Sequence, residues 1–316
     1  MLSARHFIFV APMKVREFSD GCEVAQVLLV RAVEPGGDGE HVEIRLGDRT
    51  GSVTAVVRRA AAEACRSGSV VFVSGTLSGG RLIVHTVREA REGEYAPAEL
   101  LDGPSRDPHQ MEADLRELLA TIQNHHLRRL LGTVFADAWP GYRDAPAAKR
   151  YHQAYRHGLL EHSLTVAQAV SAISATFHGI DRDVAVTGAL LHDIGKLDAY
   201  ELGSGSISMS DHGRLHGEIP LGYYRVRRTI ERLDGFPPQL AQAVLHIILS
   251  HHGSLAHGSP VVPCTREATL VHMIDNLGGR LGSFDRLEKG LADGAAWSRY
   301  DRVLGAGAWF AARRAA

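Results

Sequence analysis

The segment ALLHDIGKL, residues 189–197, sets His192 and Asp193 side by side at the end of an apolar run. Polar groups buried without partners cost about 1–3 kcal/mol each. A cation held between them would remove that cost. Other polar residues interrupt apolar stretches in the same way. His162 stands inside GLLEHSLTV, His251 and His252 end VLHIILS, and Asp275 follows ATLVHMI. Imidazoles and carboxylates together, without a thiolate, suit divalent Mn, Fe, Ni, Co or Zn.

These residues are far apart in the chain, so packed helices must bring them together. The chain has 18 histidines, and 12 of them fall between residues 152 and 272. A single histidine on a helix face is ordinarily a surface or hydrogen-bonded core residue; the clustering is what argues for a metal. From Met111 onward the pattern is helical. MEADLRELLATI (111–122), GLLEHSLTVAQAVSAISATF (158–177) and DVAVTGALLHDIGKL (183–197) are expected helices. GEIPLGYYRVRRTIERL (217–233), PPQLAQAVLHIILSHH (237–252) and REATLVHMIDNLGGRL (266–281) complete the set. Pro238 suits a first helical turn and Gly253 a stop.

The N-terminal part has a different period. Val-rich, partly alternating stretches at 23–33, 41–46, 52–57, 69–77 and 81–87 read as strands. Turn residues separate them at 34–40, 47–51 and 78–80, and RRAAAEACRSG (58–68) reads as a short helix ending at Gly68. Three strands, a helix and two strands is the order of an OB-fold, a small barrel that often binds single strands or oligosaccharides. The segment 93–110 holds three prolines and no clear period. The expected fold is therefore α+β and multidomain: a five-stranded OB-fold barrel at 1–92, a linker at 93–110 and an all-α domain at 111–316. The tail AGAWFAARRAA carries no readable signal.

Composition narrows the class. Hydrophobic residues make up 45% and charged residues 22%, ordinary for a globular protein, and no apolar run approaches a membrane span. No signal peptide is legible at the N-terminus. Three scattered cysteines argue for a reducing, cytoplasmic setting and against a disulfide frame or Cys-based zinc site. A net charge of −1 excludes a globally basic nucleic-acid binder, though not a local patch. Between residues 22 and 92 the only aromatic of the Phe, Trp and Tyr class is Phe72. Arg31, Arg45, Arg49, Arg81 and Arg88 are the candidates there for phosphate or base contact, and solvated charge is the plainer reading of each.

The order His162, His192–Asp193, Asp275 resembles the HD-domain metal-dependent phosphohydrolases. YHQAYRHGLLEHSLTV, ALLHDIGKL, LHIILSHHGSLAHGSPVVPCTREATLVHMIDNL and LGDRTGSV are similar to one branch, the YhaM (Cbf-type) 3′→5′ exoribonucleases, from about residue 20 to about residue 285. SHHGSLAHGSP is the specific part; the HD pair alone marks only the superfamily. That branch joins an OB-fold to an HD domain. The resemblance implies one ion held by His162, His192, Asp193 and Asp275. Asp193 would bridge to a second ion, held by His251 or His252 and by Glu218 or His216. The chain departs from the branch twice. His157–Gly158 replaces a Gly pair, and GRLHGEIPLG (213–222) has Glu218 where a histidine is common, with His216 two residues earlier.

The resemblance further implies one or two divalent ions, Mn foremost, that activate water against a phosphodiester. Asp193 and Lys196 would be the catalytic residues, Lys196 neutralising charge on the phosphate. Lys196 and Arg156 would contact substrate. By their own position, His246 and His272 share helices with the candidate ligands, and would either support them from behind or be simply buried and hydrogen-bonded. Single-stranded RNA or DNA is the implied partner and a homo-oligomer the implied assembly. Two other readings stand beside this one: an HD phosphohydrolase acting on a nucleotide or cyclic dinucleotide, and a nucleic-acid-binding regulator with an inactive site.

Overall fold

The computed structural model describes residues 13–34, 39–100, 103, 104, 106–149, 153–202, 207–289, 291 and 295–311. Residues 1–12 of the expected barrel domain, 35–38 of its first turn, 101, 102 and 105 of the expected linker, His152 and the end of the tail from 312 lie outside that set. The chain divides into two compact units, 1–102 with 204–206, and 103–203 with 207–316.

The first unit is a closed barrel. Its strands are β1 (Glu23–Glu34), β2 (His41–Asp48), β3 (Gly51–Arg58), β4 (Val70–Ser78) and β5 (Arg81–Glu89), in the order β1-β2-β3-β5-β4. Neighbours are antiparallel except β3 and β5, whose parallel pairing of Thr54–Val56 with Arg81–Ile83 closes the barrel. The period-2 pattern is what makes this possible. Val71, Val73 and Leu77 of β4 point inward with Leu28, Ile44, Leu46, Ala55, Val57 and Leu82. A bulge between Val30 and Ala32 lets the long β1 pair with both β2 and β4. The LGDRTG turn is structural. Oδ1 of Asp48 accepts from the Thr50 and Gly51 amides, and Oδ2 accepts from the Val15 amide at 2.9 Å. The helix expected at 58–68 is a 3-10 helix, Arg59–Ala64. Its short span between two barrel strands suits the tighter winding.

In the same unit α1 (Pro97–Leu100) is a single turn. The second unit is a helical core. Its helices are α2 (Pro108–Ala120), α3 (His125–Asp144), α4 (Gly158–Ser174), α5 (Arg182–Leu191), α6 (Lys196–Ala199), α7 (Asp211–His216), α8 (Glu218–Glu231), α9 (Pro238–Ser250) and α10 (Arg266–Lys289). Two hairpins accompany them: β6 (Tyr200–Leu202) with β7 (Ile207–Met209), and β8 (Trp297–Asp301) with β9 (Ala306–Trp309). Neither hairpin was expected from the sequence, and β9 uses four residues of the tail read as uninformative. The expected linker is in part helical. Asp107 caps α2 by accepting from the His109 amide at 2.7 Å, and Pro108 fits the first turn, so the helix begins before Met111.

The helix expected across 183–197 stops at Leu191. The backbone then winds through i→i+3 bonds, Ile194 to Leu191 and Lys196 to Asp193, into the short α6. Gly195 is required there. A Cβ on it would lie 1.9 Å from the carbonyl oxygen of Glu218, so the close approach of α8 depends on its absence. Leu190 and Leu191 are fully buried beside Val244, Ile247 and Ile248 of α9 and Val271 of α10. Burial of this kind, at roughly 25 cal/mol per Å² of apolar surface, is what fixes the helix ends in space. Among the described residues, no helix is long and apolar enough to cross a membrane.

Candidate metal centre

Four helices bring six candidate ligand side chains toward a common point. His162 is on the second turn of α4, and the surrounding Leu159, Leu160 and Leu164 are fully buried. His192 caps the C-terminus of α5 and Asp193 follows it. His251 caps the C-terminus of α9, followed by His252. Asp275 lies on α10. Asp193 is 2% exposed and His251 is 0% exposed, so these polar groups sit in the core of the unit.

The side chains are close enough to one another that they could hold a metal ion. The Nε2 of His162 is 3.1 Å from Nε2 of His192, 3.2 Å from Oδ2 of Asp193 and 3.1 Å from Oδ1 of Asp275. Nε2 of His192 is 3.3 Å from Oδ2 of Asp193. The other carboxylate oxygen, Oδ1 of Asp193, faces Nε2 of His251 at 3.5 Å. Three sets have ligand atoms within 4.8 Å of one another: His162, His192 and Asp193; His192, His251 and Asp275; Asp193, His251 and His252. The two oxygens of Asp193 thus point to two adjoining halves of one cluster.

The imidazoles are oriented from behind. Nδ1 of His192 meets the Ala189 carbonyl at 2.7 Å, Nδ1 of His251 the Ile248 carbonyl at 2.8 Å, and Nδ1 of His252 the His257 carbonyl at 2.9 Å. A carbonyl only accepts, so each Nδ1 carries the proton and each Nε2 offers a lone pair. For His162 the partner is the side-chain Oε1 of Gln153, at 3.0 Å. Gln153 was not singled out from the sequence. It belongs to a loop that returns over the start of α4, and it adopts a left-handed backbone at φ 56°. No residue-type pattern announces such a return.

The charges respond to this crowding. Burial alone would raise the Asp193 carboxyl, but the Lys196 ammonium and the His192 ring hold it well below the usual range. Asp275 is likewise held low against burial, chiefly by its bond to His162. Burial would lower His162, yet Asp193 and Asp275 push it up to about 9. Two buried atoms of the cluster have no hydrogen-bond partner, Oδ1 of Asp193 and Nε2 of His251. Apposed polar atoms without a hydrogen bond, beside oriented Nε2 atoms and carboxylates, fit a divalent cation.

Lys196 follows Asp193 by one tight turn rather than by a continued α-helix, and its Nζ reaches Oδ2 of Asp193 at 2.5 Å. His216 and Glu218 do not share a helix. Gly217, at φ 76°, separates α7 from α8. His216 is exposed and its ring stacks near His212 at 5.9 Å. Glu218 is half-buried, and its charge acts on His252 and on Tyr200. Neither residue belongs to the three close sets. Arg156 is exposed and paired with Asp144 at 2.6 Å. Nδ1 of His272 donates to the backbone oxygen of His251 at 2.7 Å, supporting the ligand's backbone rather than its ring. His246 accepts from the Cys264 amide at 2.8 Å and fastens the loop after α9.

Comparison with known proteins agrees with this architecture. Residues 159–279 match the model of the HD domain. The chain is also similar to the 3′-5′ exoribonuclease YhaM of Geobacillus sp. (strain WCH70), at 28% identity over 281 residues, 85% of this chain and 86% of that relative. The matched HD region spans from α4 to α10, the helices that carry all the clustered side chains. The chain therefore joins a five-stranded barrel to an HD domain, is similar along most of its length to a YhaM exoribonuclease, and is a metal-dependent phosphodiesterase of the HD superfamily.

Proposed function

We propose that this enzyme shortens single-stranded RNA or DNA from the 3′ end, using one or two divalent ions, Mn foremost. The observation that carries the metal chemistry is the pair of unpartnered buried atoms, Oδ1 of Asp193 and Nε2 of His251, at the junction of the cluster. The RNA substrate and the direction rest on the similarity to an exoribonuclease along most of the chain. A cytoplasmic setting fits the three free thiols.

In this proposal His162, His192, Asp193 and Asp275 hold one ion, with Asp193 shared toward His251 and His252. Glu218 is the carboxylate that completes the second half, since its charge reaches His252 while His216 turns to solvent. Bound divalent ions lower the pKa of water and polarise a phosphoryl oxygen. The protein's own contribution is orientation and charge. Backbone carbonyls and Gln153 keep the four Nε2 lone pairs inward. The ammonium of Lys196, placed on Asp193, offsets negative charge that gathers on a phosphate entering the centre. The barrel at 1–92 grips the strand, the segment 93–110 connects, and 111–316 cleaves. A homo-oligomer would cover the exposed Met273, Leu277 and Leu281 of α10.

The test is a 5′-labelled RNA with a single-stranded 3′ tail, incubated with the purified protein and Mn. A ladder shrinking one nucleotide at a time from the 3′ end is expected. Release of the 5′ label first, or a cyclic dinucleotide consumed while the RNA persists, would set the reading aside.

A further inference from the structure

The barrel offers little to stack on. Phe72 lies under the guanidinium of Arg88 at 4.5 Å, and Arg88 is also paired with Glu94. The outer face of the β8–β9 hairpin is the opposite case. Trp297, Tyr300 and Trp309 are 63%, 71% and 59% exposed, although large aromatics are as a rule mostly covered. They share one face. Trp297 pairs directly with Trp309, and Tyr300 pairs with Gly307, two residues from Trp309. The extra residue between Trp297 and Tyr300, where the register shifts, is what turns both toward the same side.

The other face of the hairpin is anchored. Ala308 and Asp301 are buried, and Phe310 meets Phe284 of α10 edge-on. Asp301 pairs with Arg286 of α10 at 2.5 Å, and Arg280 donates to the Val303 carbonyl at 3.2 Å. Arg280 and Arg286 are on the helix that carries Asp275, about 8 and 17 Å along its axis at ~1.5 Å per residue. Arg299 and Arg302 are exposed on the hairpin, and among the described residues their side chains make no ion pair. Asp301, the one described acid of the two strands and their turn, is already neutralised.

We propose that this hairpin face is a stacking platform for single-stranded nucleic acid, with Trp297, Tyr300 and Trp309 receiving bases and Arg299 and Arg302 receiving phosphates. Exposed aromatic rings and exposed arginines on one ribbon, bonded to a helix that carries a candidate metal ligand, fit a strand rather than a folded partner. A protein surface would have to desolvate both arginines without a described counter-charge on the hairpin. The platform deepens the exonuclease reading and rests on it.

The experiment uses the full chain and a phosphorothioate RNA oligonucleotide that resists cleavage. Two of the three tryptophans of the chain lie on this face, so binding is expected to quench intrinsic fluorescence. Trp297→Ala and Trp309→Ala should each weaken Kd about 5–150-fold, and turnover of a small activated phosphodiester should stay at the wild-type rate. Because a hairpin variant could misfold, Arg299→Glu with Arg302→Glu is the second probe; it should weaken binding and flatten its salt dependence. Variants that bind and degrade RNA like the wild type overturn the platform and leave the exonuclease reading intact. A change in oligomeric mass with RNA binding unaltered also overturns it, and assigns the face to another copy. Wild-type protein that neither binds nor cleaves RNA overturns both.

Discussion

Oδ1 of Asp193 and Nε2 of His251 face each other across 3.5 Å, both buried and neither hydrogen-bonded. Two acceptors are held together there by packing of α9 against the end of α5. Asp193→Ala is expected to reduce hydrolysis to background and to lower bound metal, with helical content preserved. Metal analysis beside kcat on an oligonucleotide checks this; wild-type turnover would contradict the assignment.

Gln153 separates metal binding from stability. Its φ of 56° is costly for a residue with a side chain, and its Oε1 orients His162. Gln153→Gly relieves backbone strain of about 1–3 kcal/mol. The melting temperature of the metal-stripped protein should hold or rise, although metal affinity falls roughly 10–100-fold as the His162 ring loses its partner. Calorimetric metal titration beside a thermal melt gives both readings. Unchanged affinity would remove Gln153 from the site.

The pH dependence follows from His162. In metal-stripped protein its folded pKa is about 9, above the unfolded value of about 6.5. A raised pKa means the protonated ring stabilises the fold. That contribution is full below pH ~6.5 and disappears as pH rises toward 9. Metal binding requires the same nitrogen without its proton, so apparent affinity should climb across this window. Melting curves with a chelator, and metal titrations, from pH 6 to 9.5 would show opposite slopes. Parallel slopes would refute the linkage.

The choice between Glu218 and His216 is open to direct measurement. Glu218→Gln is expected to lower Mn-dependent turnover by at least about tenfold, and His216→Ala to leave it within twofold. The reverse order would mean that the loop at Gly217 rearranges to bring His216 inward.

Deletion of residues 1–95 removes a barrel with its own core. It should raise KM on long RNA and leave turnover of a small activated phosphodiester near the full-length value. Equal losses on both substrates would mean that the barrel supports the centre instead of gripping the strand.

Local chemistry determined a good deal by itself. The switch from a period of 2 to 3.6 separates the barrel strands from the helices, because side-chain direction is a property of the backbone type. His162, His192, Asp193, His251, His252 and Asp275 stand out because each breaks an apolar run, and a polar group in a core needs a partner. What joins them is not local. The turn after Leu191 that puts Lys196 on Asp193 depends on α8 pressing against Gly195. The reach of Gln153 to His162 depends on a strained loop, and the fates of His216 and Glu218 depend on the break at Gly217. The aromatic face of the last hairpin depends on register, which pairing across strands sets and a single strand does not. Residue type fixes what a side chain is able to do; only the packing of distant segments decides which others it meets.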